Sequence, residues 1–307
     1  MIPRWMTQLP GFRVYAALEE ADKALASTKK QLKKTRADLE AARARADLAG
    51  GTLSSMSSAL GPNQAPVASA TRLDDILRTS AAEYRNAKPF PHIVIDNLVD
   101  PGVLDKVLAE FSGSDRSTWH HTESGREKKY STEDEQQFGP YTRALIHVFN
   151  SGPFLAFLEG LTRIDGLMSD PHLRGGGLHE IKRGGSLGVH ADFNFYKRLK
   201  VYRRLNLIIY LNKNWQEDWG GHLELWEKGA DRPAARIAPI FNRAVIFDTS
   251  NSSYHGHPHP LTCPDDQSRK SVALYYYSVD YPYEDDKVPH TTQFIDTPDQ
   301  HDHEHEH

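Results

Sequence analysis

The sequence predicts an α+β, mainly β fold: a jelly-roll barrel or β-sandwich backed by helices, with an N-terminal coiled-coil helix. Three observations predict it. Between 178 and 279 the chain alternates short β-type runs with Gly- and Asn-rich turns, the pattern of many short strands in a barrel or sandwich. Before that, amphipathic stretches and helix-forming residues dominate. Near the start, leucine recurs every seven residues at Leu18, Leu25, Leu32 and Leu39.

The heptad leucines each have a small residue three positions on: Ala21, Thr28, Thr35 and Ala42. Lys, Arg, Glu and Ala between them are good helix formers. Residues 1–49 therefore read as a helical arm with a narrow seam, able to self-associate as a coiled coil into a homo-oligomer. Residues 50–71, GGTLSSMSSALGPNQAPVASAT, have the composition of a flexible linker. The folded domain is expected over 72–280, and an acidic, His-rich tail over 281–307 has nothing to bury and is expected to be disordered.

Within the domain, a helix is expected at 72–86, a strand at 90–98 (FPHIVIDNL) and a helix at 101–111. The polar run 112–140, with Trp119, His120, His121 and Tyr130, reads as a long irregular segment of the kind that serves as a lid. Helices follow at 141–150 and 153–161. Strands are expected at 178–183, 187–192, 203–212, 221–227, 234–238, 243–249, 254–257 and 269–279.

Composition excludes several classes. Of 307 residues, 30 are aromatic, enough with the β-branched residues to fill a core, so the chain is not disordered throughout. The longest strongly apolar run, Leu205–Leu211, is far short of a membrane span and contains Asn206. Residues 1–11 lack the pattern of a signal peptide. The net charge of −4 divides into +4 over 1–50, −8 over 280–307 and zero between. A neutral body lacks the basic footprint of a nucleic-acid binder. One cysteine, Cys263, excludes an internal disulfide framework and multi-Cys metal sites, and suits a reducing cytoplasm.

The chemistry-bearing residues fall in the β-rich half. His190 and Asp192 flank Ala191 on one strand, so period two puts both on one face. They are two thirds of a 2-His-1-carboxylate facial triad for non-haem Fe(II), which leaves open positions on the metal. The third ligand must come from another strand. His255 directly follows a strand and a turn, while His257 and His259, flanked by prolines, compete with it from what reads as a loop. Arg269 opens the last strand, 14 residues after His255. Its guanidinium fork can bind a carboxylate bidentately, and Ser271 on the same face adds a hydroxyl.

With these residues in place, the sequence resembles the Fe(II)/2-oxoglutarate-dependent dioxygenase superfamily, in its prolyl 4-hydroxylase-like branch. The resemblance runs from about Lys88 to Ser278. It rests on PFPHIVIDNLV (89–99), the His190-x-Asp192 pair, RRLNLIIYLN (203–212), WGGHLELW (219–226), AVIFDTSNSSYHGHPHPL (244–261) and RKSVALYYYS (269–278). It implies a double-stranded β-helix, iron on His190, Asp192 and His255, and the 2-oxoglutarate C5 carboxylate on Arg269. It also implies hydroxylation of an unactivated C–H bond, with Fe(II) as metal, 2-oxoglutarate as co-substrate and ascorbate as an optional reductant. Two tyrosines usual in the prolyl hydroxylases are Ile181 and Leu187 here, so Asn206 is a candidate replacement contact to the co-substrate.

The run KRLKVYRR at 197–204 could be an anion-binding rim or a solvated loop, and Phe193, Phe195 and Tyr196 could wall a substrate pocket or only fill core. Arg204 is the next candidate for the carboxylate role after Arg269. The substrate is a peptidyl proline or a small or carrier-bound anionic molecule. The terminal HDHEHEH lacks the order a specific metal site requires. The rival reading is a non-enzymatic β-barrel binding module on a coiled-coil stalk, its metal site vestigial.

Overall fold

The computed structural model describes residues 23–34, 67–281 and 288–297. The chain divides into two units, residues 1–47 and 48–307. In the first, residues 23–34 are helical and exposed, with the seam residues Leu25 and Leu32 52% and 70% exposed. The rest of the expected arm, and residues 50–66 of the expected linker, lie outside the described residues.

The second unit begins earlier than Arg72. Val67 and Ala68 are buried, and the Val67 carbonyl accepts the Asp100 amide. Helix α1 (Ala70–Asn86) starts at Ser69, whose side chain caps the Arg72 amide. Strand β1 (His92–Asp96) follows, then α2 (Pro101–Gly113), capped by Asp100 on the Val103 amide, with Pro101 in its first turn. Helices α3 (Pro140–Phe149) and α4 (Gly152–Thr162) complete the helical layer. Among the described residues no single helix is long and apolar enough to cross a membrane. The bent pair α3–α4 is apolar because it packs into the core through Leu145, Phe149, Phe154 and Leu158.

The strands are β2 (His120–Glu123), β3 (Lys128–Thr132), β4 (Met168–Ser169), β5 (Gly177–Lys182), β6 (Leu187–Ala191), β7 (Phe195–Tyr196) and β8 (Val201–Tyr210). Next come β9 (Leu223–Trp226), β10 (Ala235–Ile237), β11 (Arg243–Asp248), β12 (Tyr254–His257), β13 (Ser268–Ser278) and β14 (Gln293–Phe294). They form two antiparallel sheets. The major one runs β1-β11-β8-β13-β5-β3-β2, with β4 on β13 and β7 on β8; the minor one runs β10-β9-β12-β6-β14. This is the jelly roll expected from the sequence, a double-stranded β-helix.

Alternation divides each central strand between two environments. On β8 and β13, Leu205, Leu207, Ile209, Val272, Leu274 and Tyr276 face the helices and build the core. Asn206, Ile208, Arg269, Ser271, Ala273 and Tyr275 instead line a cavity between the sheets.

Two segments differ from expectation. The run 112–140 is not an irregular lid. Its centre is the β2–β3 hairpin, which extends the major sheet through β5. Trp119 is buried edge-on against Phe111 at 5.3 Å, with the Arg116 guanidinium over its ring at 4.2 Å, while His121 stacks on Tyr130 at 4.4 Å. The tail is also not without a partner: β14 adds to β6, placing Phe294 opposite His190, and Thr297 is buried.

Candidate metal centre and co-substrate cavity

Antiparallel pairing of β6 and β12 sets His190 directly opposite His255, with ring centroids 4.5 Å apart. The approach needs Gly256 between His255 and His257, because a Cβ there would lie 2.8 Å from the backbone oxygens of Leu187 and Gly188. Each imidazole is oriented by its own strand. Nδ1 of His190 lies 2.9 Å from the Gly188 carbonyl and Nδ1 of His255 lies 3.0 Å from the Ser253 carbonyl. A carbonyl only accepts, so both Nδ1 atoms carry a proton, which turns both Nε2 atoms toward Asp192 as the ligand atoms for a metal. Those Nε2 atoms lie 3.6 and 3.5 Å from the two oxygens of Asp192. The donor atoms of His190, Asp192 and His255 all fall within 4.8 Å of one another. Two imidazoles and one carboxylate, converging from two strands, fit a facially bound Fe(II).

Electrostatics favour the ligating forms. Burial opposes ionisation of Asp192, yet Arg203, His255 and His190 outweigh it and hold the carboxyl well below the usual range. Burial lowers the His255 pKa to about 4 against the pull of Asp192. The Asp192 carboxylate accepts the Asn206 amide at 2.8 Å and pairs with Arg203 at 3.0 Å. Arg203 also donates through Nε and Nη2 to the Asn206 amide oxygen at 2.9 and 2.7 Å. Asn206 is thus tied to a metal-site carboxylate. Its amide nitrogen carries a second N–H, and the residue lines the cavity beside the cluster.

The cavity beside this cluster has a volume of about 380 Å³. Ile181 and Leu187, at the tyrosine positions, line it with apolar groups. Arg269 is 6% exposed; its Nε donates to the Gly221 carbonyl at 2.7 Å and its Nη2 to the Tyr210 hydroxyl at 3.1 Å. No carboxylate pairs with it among the described residues. Gly221, at φ +71°, makes room for the bend, since a Cβ there would meet the Arg269 Cδ at 3.0 Å. A buried guanidinium without a counter-charge is costly and suits an incoming anion. Ser271 lines the same cavity, as expected.

The three competing histidines separate. His255 joins the cluster and His259 is exposed. His257, expected in a loop, is the last residue of β12 and lines the cavity. It is 3% exposed, with neither ring nitrogen hydrogen-bonded among the described residues. Burial holds it well below the usual histidine range. His179 also faces the cavity, its pKa lowered to about 3 chiefly by burial.

Sequence reasoning missed Arg203, Tyr275 and the tail residues Thr292 and Phe294, all of which line the cavity. For Arg203 the cause is a bulge. Pairing of β13 with β8 skips from Tyr276–Leu205 to Tyr277–Arg203, which reverses the parity beyond Asn206. Arg203 therefore turns inward, 2% exposed, with its guanidinium 3.4 Å from the Tyr275 ring centroid. Arg204, the inward residue under strict alternation, instead donates to the Ser278 hydroxyl and the Asp280 carbonyl, so it is no alternative carboxylate site.

Residues 176–277 match the family model of the 2OG-Fe(II) oxygenase superfamily. That segment spans β5 to β13 and includes His190, Asp192, His255 and Arg269. The chain carries a 2OG-Fe(II) oxygenase domain and is a dioxygenase whose cofactors are Fe(II) and 2-oxoglutarate. The non-enzymatic module is set aside. No curated protein matches the chain. Among solved structures, it is similar to a Pseudomonas putida prolyl-4-hydroxylase: 16% identity, 67% of this chain and 98% of that one, TM-score 0.47. It is similar to a Phytophthora capsici prolyl 4-hydroxylase: 18% identity, 70% and 67% covered, TM-score 0.49. It is also similar to HygX of Streptomyces hygroscopicus, solved with nickel, 2-oxoglutarate and hygromycin B: 12% identity, 67% and 93% covered, TM-score 0.43.

Proposed function

We propose that this domain hydroxylates an unactivated C–H bond, with iron held by His190, Asp192 and His255. The observation that carries the reading is the convergence of two imidazole Nε2 atoms and one ionised carboxylate beside a cavity containing an unpaired buried arginine. When bound, Fe(II) and 2-oxoglutarate supply the chemistry that puts one atom of O2 into the substrate C–H bond and the other into succinate, with release of CO2. The chain's own residues do the positioning. The Gly188 and Ser253 carbonyls orient the imidazoles, Arg203 holds Asp192 ionised and Asn206 aims it. Arg269 and Ser271 receive the distal carboxylate of 2-oxoglutarate. His257 offers the further hydrogen bond that Ile181 and Leu187 cannot. Ile181, Leu187 and Leu223 give one part of the wall an apolar surface.

The test is anaerobic loading with Fe(II), then admission of O2 with proline peptides and anionic metabolites offered in parallel. Substrate-stimulated succinate release supports the reading. Protein that binds neither Fe(II) nor 2-oxoglutarate overturns it.

We also infer that the N-terminal helix joins copies of the chain. Leu25 and Leu32, one heptad apart, are exposed on the described helical segment, and an exposed leucine seam gains by burial against a second helix. Cys263, buried and free, suits a reducing cytoplasm.

A further inference from the structure

A second chamber, of about 730 Å³, opens beside the metal-site cavity and shares Glu133, Arg174 and Phe193 with it. Phe193 directly follows Asp192, so the chamber adjoins the metal cluster. Three cationic side chains reach it: Arg174 from the loop before β5, and Lys197 and Arg198 from the turn between β7 and β8. None of the three pairs with a carboxylate among the described residues. The only carboxylate in the lining is Glu133, which accepts the Gly175 amide at 2.7 Å.

The site is held in shape from below. Buried Asp170 accepts the amides of His172 and Arg174 at 2.9 and 2.8 Å, and the Tyr275 hydroxyl donates to the Gly175 carbonyl at 2.8 Å. The loop carrying Arg174 is thereby fixed. The Arg174 guanidinium lies 5.6 Å from the Phe193 ring and 5.5 Å from the Tyr196 ring, within cation–π range of both. On the opposite side, buried Asn194 clasps the tail, donating to the Val288 carbonyl and accepting the His290 amide, each at 2.9 Å. That clasp makes Pro289, His290 and Thr291 the outer wall.

We propose that this chamber binds an oxyanion group of the substrate, a phosphoryl or carboxylate on a small molecule, and so presents a nearby carbon to the metal site. The proposal rests on the iron reading above and names its substrate class. A neutral proline peptide gives three unpaired cations nothing to bind. An anion gains from all three, through attraction that salt screens. Lys200 is not part of the site: it takes φ +56° in the turn and does not line the chamber.

The experiment titrates anaerobic protein loaded with Fe(II) and 2-oxoglutarate with three probes by calorimetry: phenyl phosphate, benzoate and benzyl alcohol. At least one anionic probe should bind more tightly than benzyl alcohol, and more weakly as salt rises. Its Kd should increase at least tenfold in Lys197→Glu/Arg198→Glu and separately in Arg174→Glu. Tighter phenyl phosphate assigns a phosphoryl group; tighter benzoate assigns a carboxylate. Anionic probes that bind no better than benzyl alcohol, or equally well after charge reversal, overturn the proposal. The visible band of 2-oxoglutarate on Fe(II) is recorded in every sample. Its presence throughout separates failure of this proposal from failure of the iron reading, which would show as no band in the unaltered protein.

Discussion

At the scale of single residues, the metal site depends on what surrounds Asp192. A ligand carboxylate works only if it is ionised and correctly aimed; Arg203 holds Asp192 ionised, and Asn206 aims it. Outer partners of metal ligands are commonly worth about 10–100-fold in metal affinity. Asn206→Ala should therefore weaken Fe(II) binding by about that factor in an anaerobic chelator competition, whereas unchanged affinity would mean that Arg203 suffices. Arg269 acts elsewhere. Arg269→Ala should leave Fe(II) bound but raise the 2-oxoglutarate concentration needed by roughly ten- to a hundredfold, from a lost charged hydrogen bond of about 1.5–3 kcal/mol. An unaltered requirement would move the carboxylate site to another residue. Strand parity is a local property, so the sequence puts His190 and Asp192 on one face, and the structure brings their donor atoms together with those of His255. His255 was favoured over His257 by its place after a strand, and the pairing of β12 with β6 separates the two. Arg203 was not legible, because the bulge that turns it inward depends on the neighbouring strand.

At the scale of elements, nine of the fourteen described strands and the four helices of the domain were legible because each carries its own period or cap. The β2–β3 hairpin was hidden, since its exposed His, Lys and Glu side chains show no apolar alternation. Strand β14 was hidden for a similar reason: two residues on a sheet edge leave little pattern, and their partner, β6, lies about a hundred residues upstream. The join between α1 and β11 makes a pH-dependent contribution. The Tyr84 hydroxyl donates to Asp248, whose pKa burial raises to about 6 despite that bond and Arg204. A carboxyl that is harder to ionise folded than unfolded costs stability as pH rises from about 4 through 6, and the cost is complete above that. The shift from 3.8 to about 6 corresponds to roughly 3 kcal/mol at most. Asp248→Asn keeps an acceptor for Tyr84 and removes the ionisation. Its stability relative to the unaltered protein, from denaturant midpoints, should rise between pH 4 and pH 7. A difference independent of pH would show that Asp248 ionises in the folded protein at its ordinary value.

For the whole molecule, composition and heptads set an expected arm apart from an expected domain that starts at Arg72. Val67 and Ala68 belong to the folded domain although the Ser- and Pro-rich run continues into them, because burial there depends on distant α2. A truncation that respects the structure therefore removes 1–66. By sedimentation, the full chain should be a dimer or trimer and the truncated chain a monomer that keeps its metal site. Equal oligomeric states for the two would place self-association elsewhere or nowhere.

Whether His190, Asp192 and His255 hold Fe(II) so that 2-oxoglutarate chelates it beside Arg269 is read from the visible absorption of anaerobic protein titrated with Fe(II) and then 2-oxoglutarate, alongside Asp192→Ala. A charge-transfer band should appear only with both additions and be absent in the variant. A band of equal strength in Asp192→Ala, or none in the unaltered protein, would contradict that assignment.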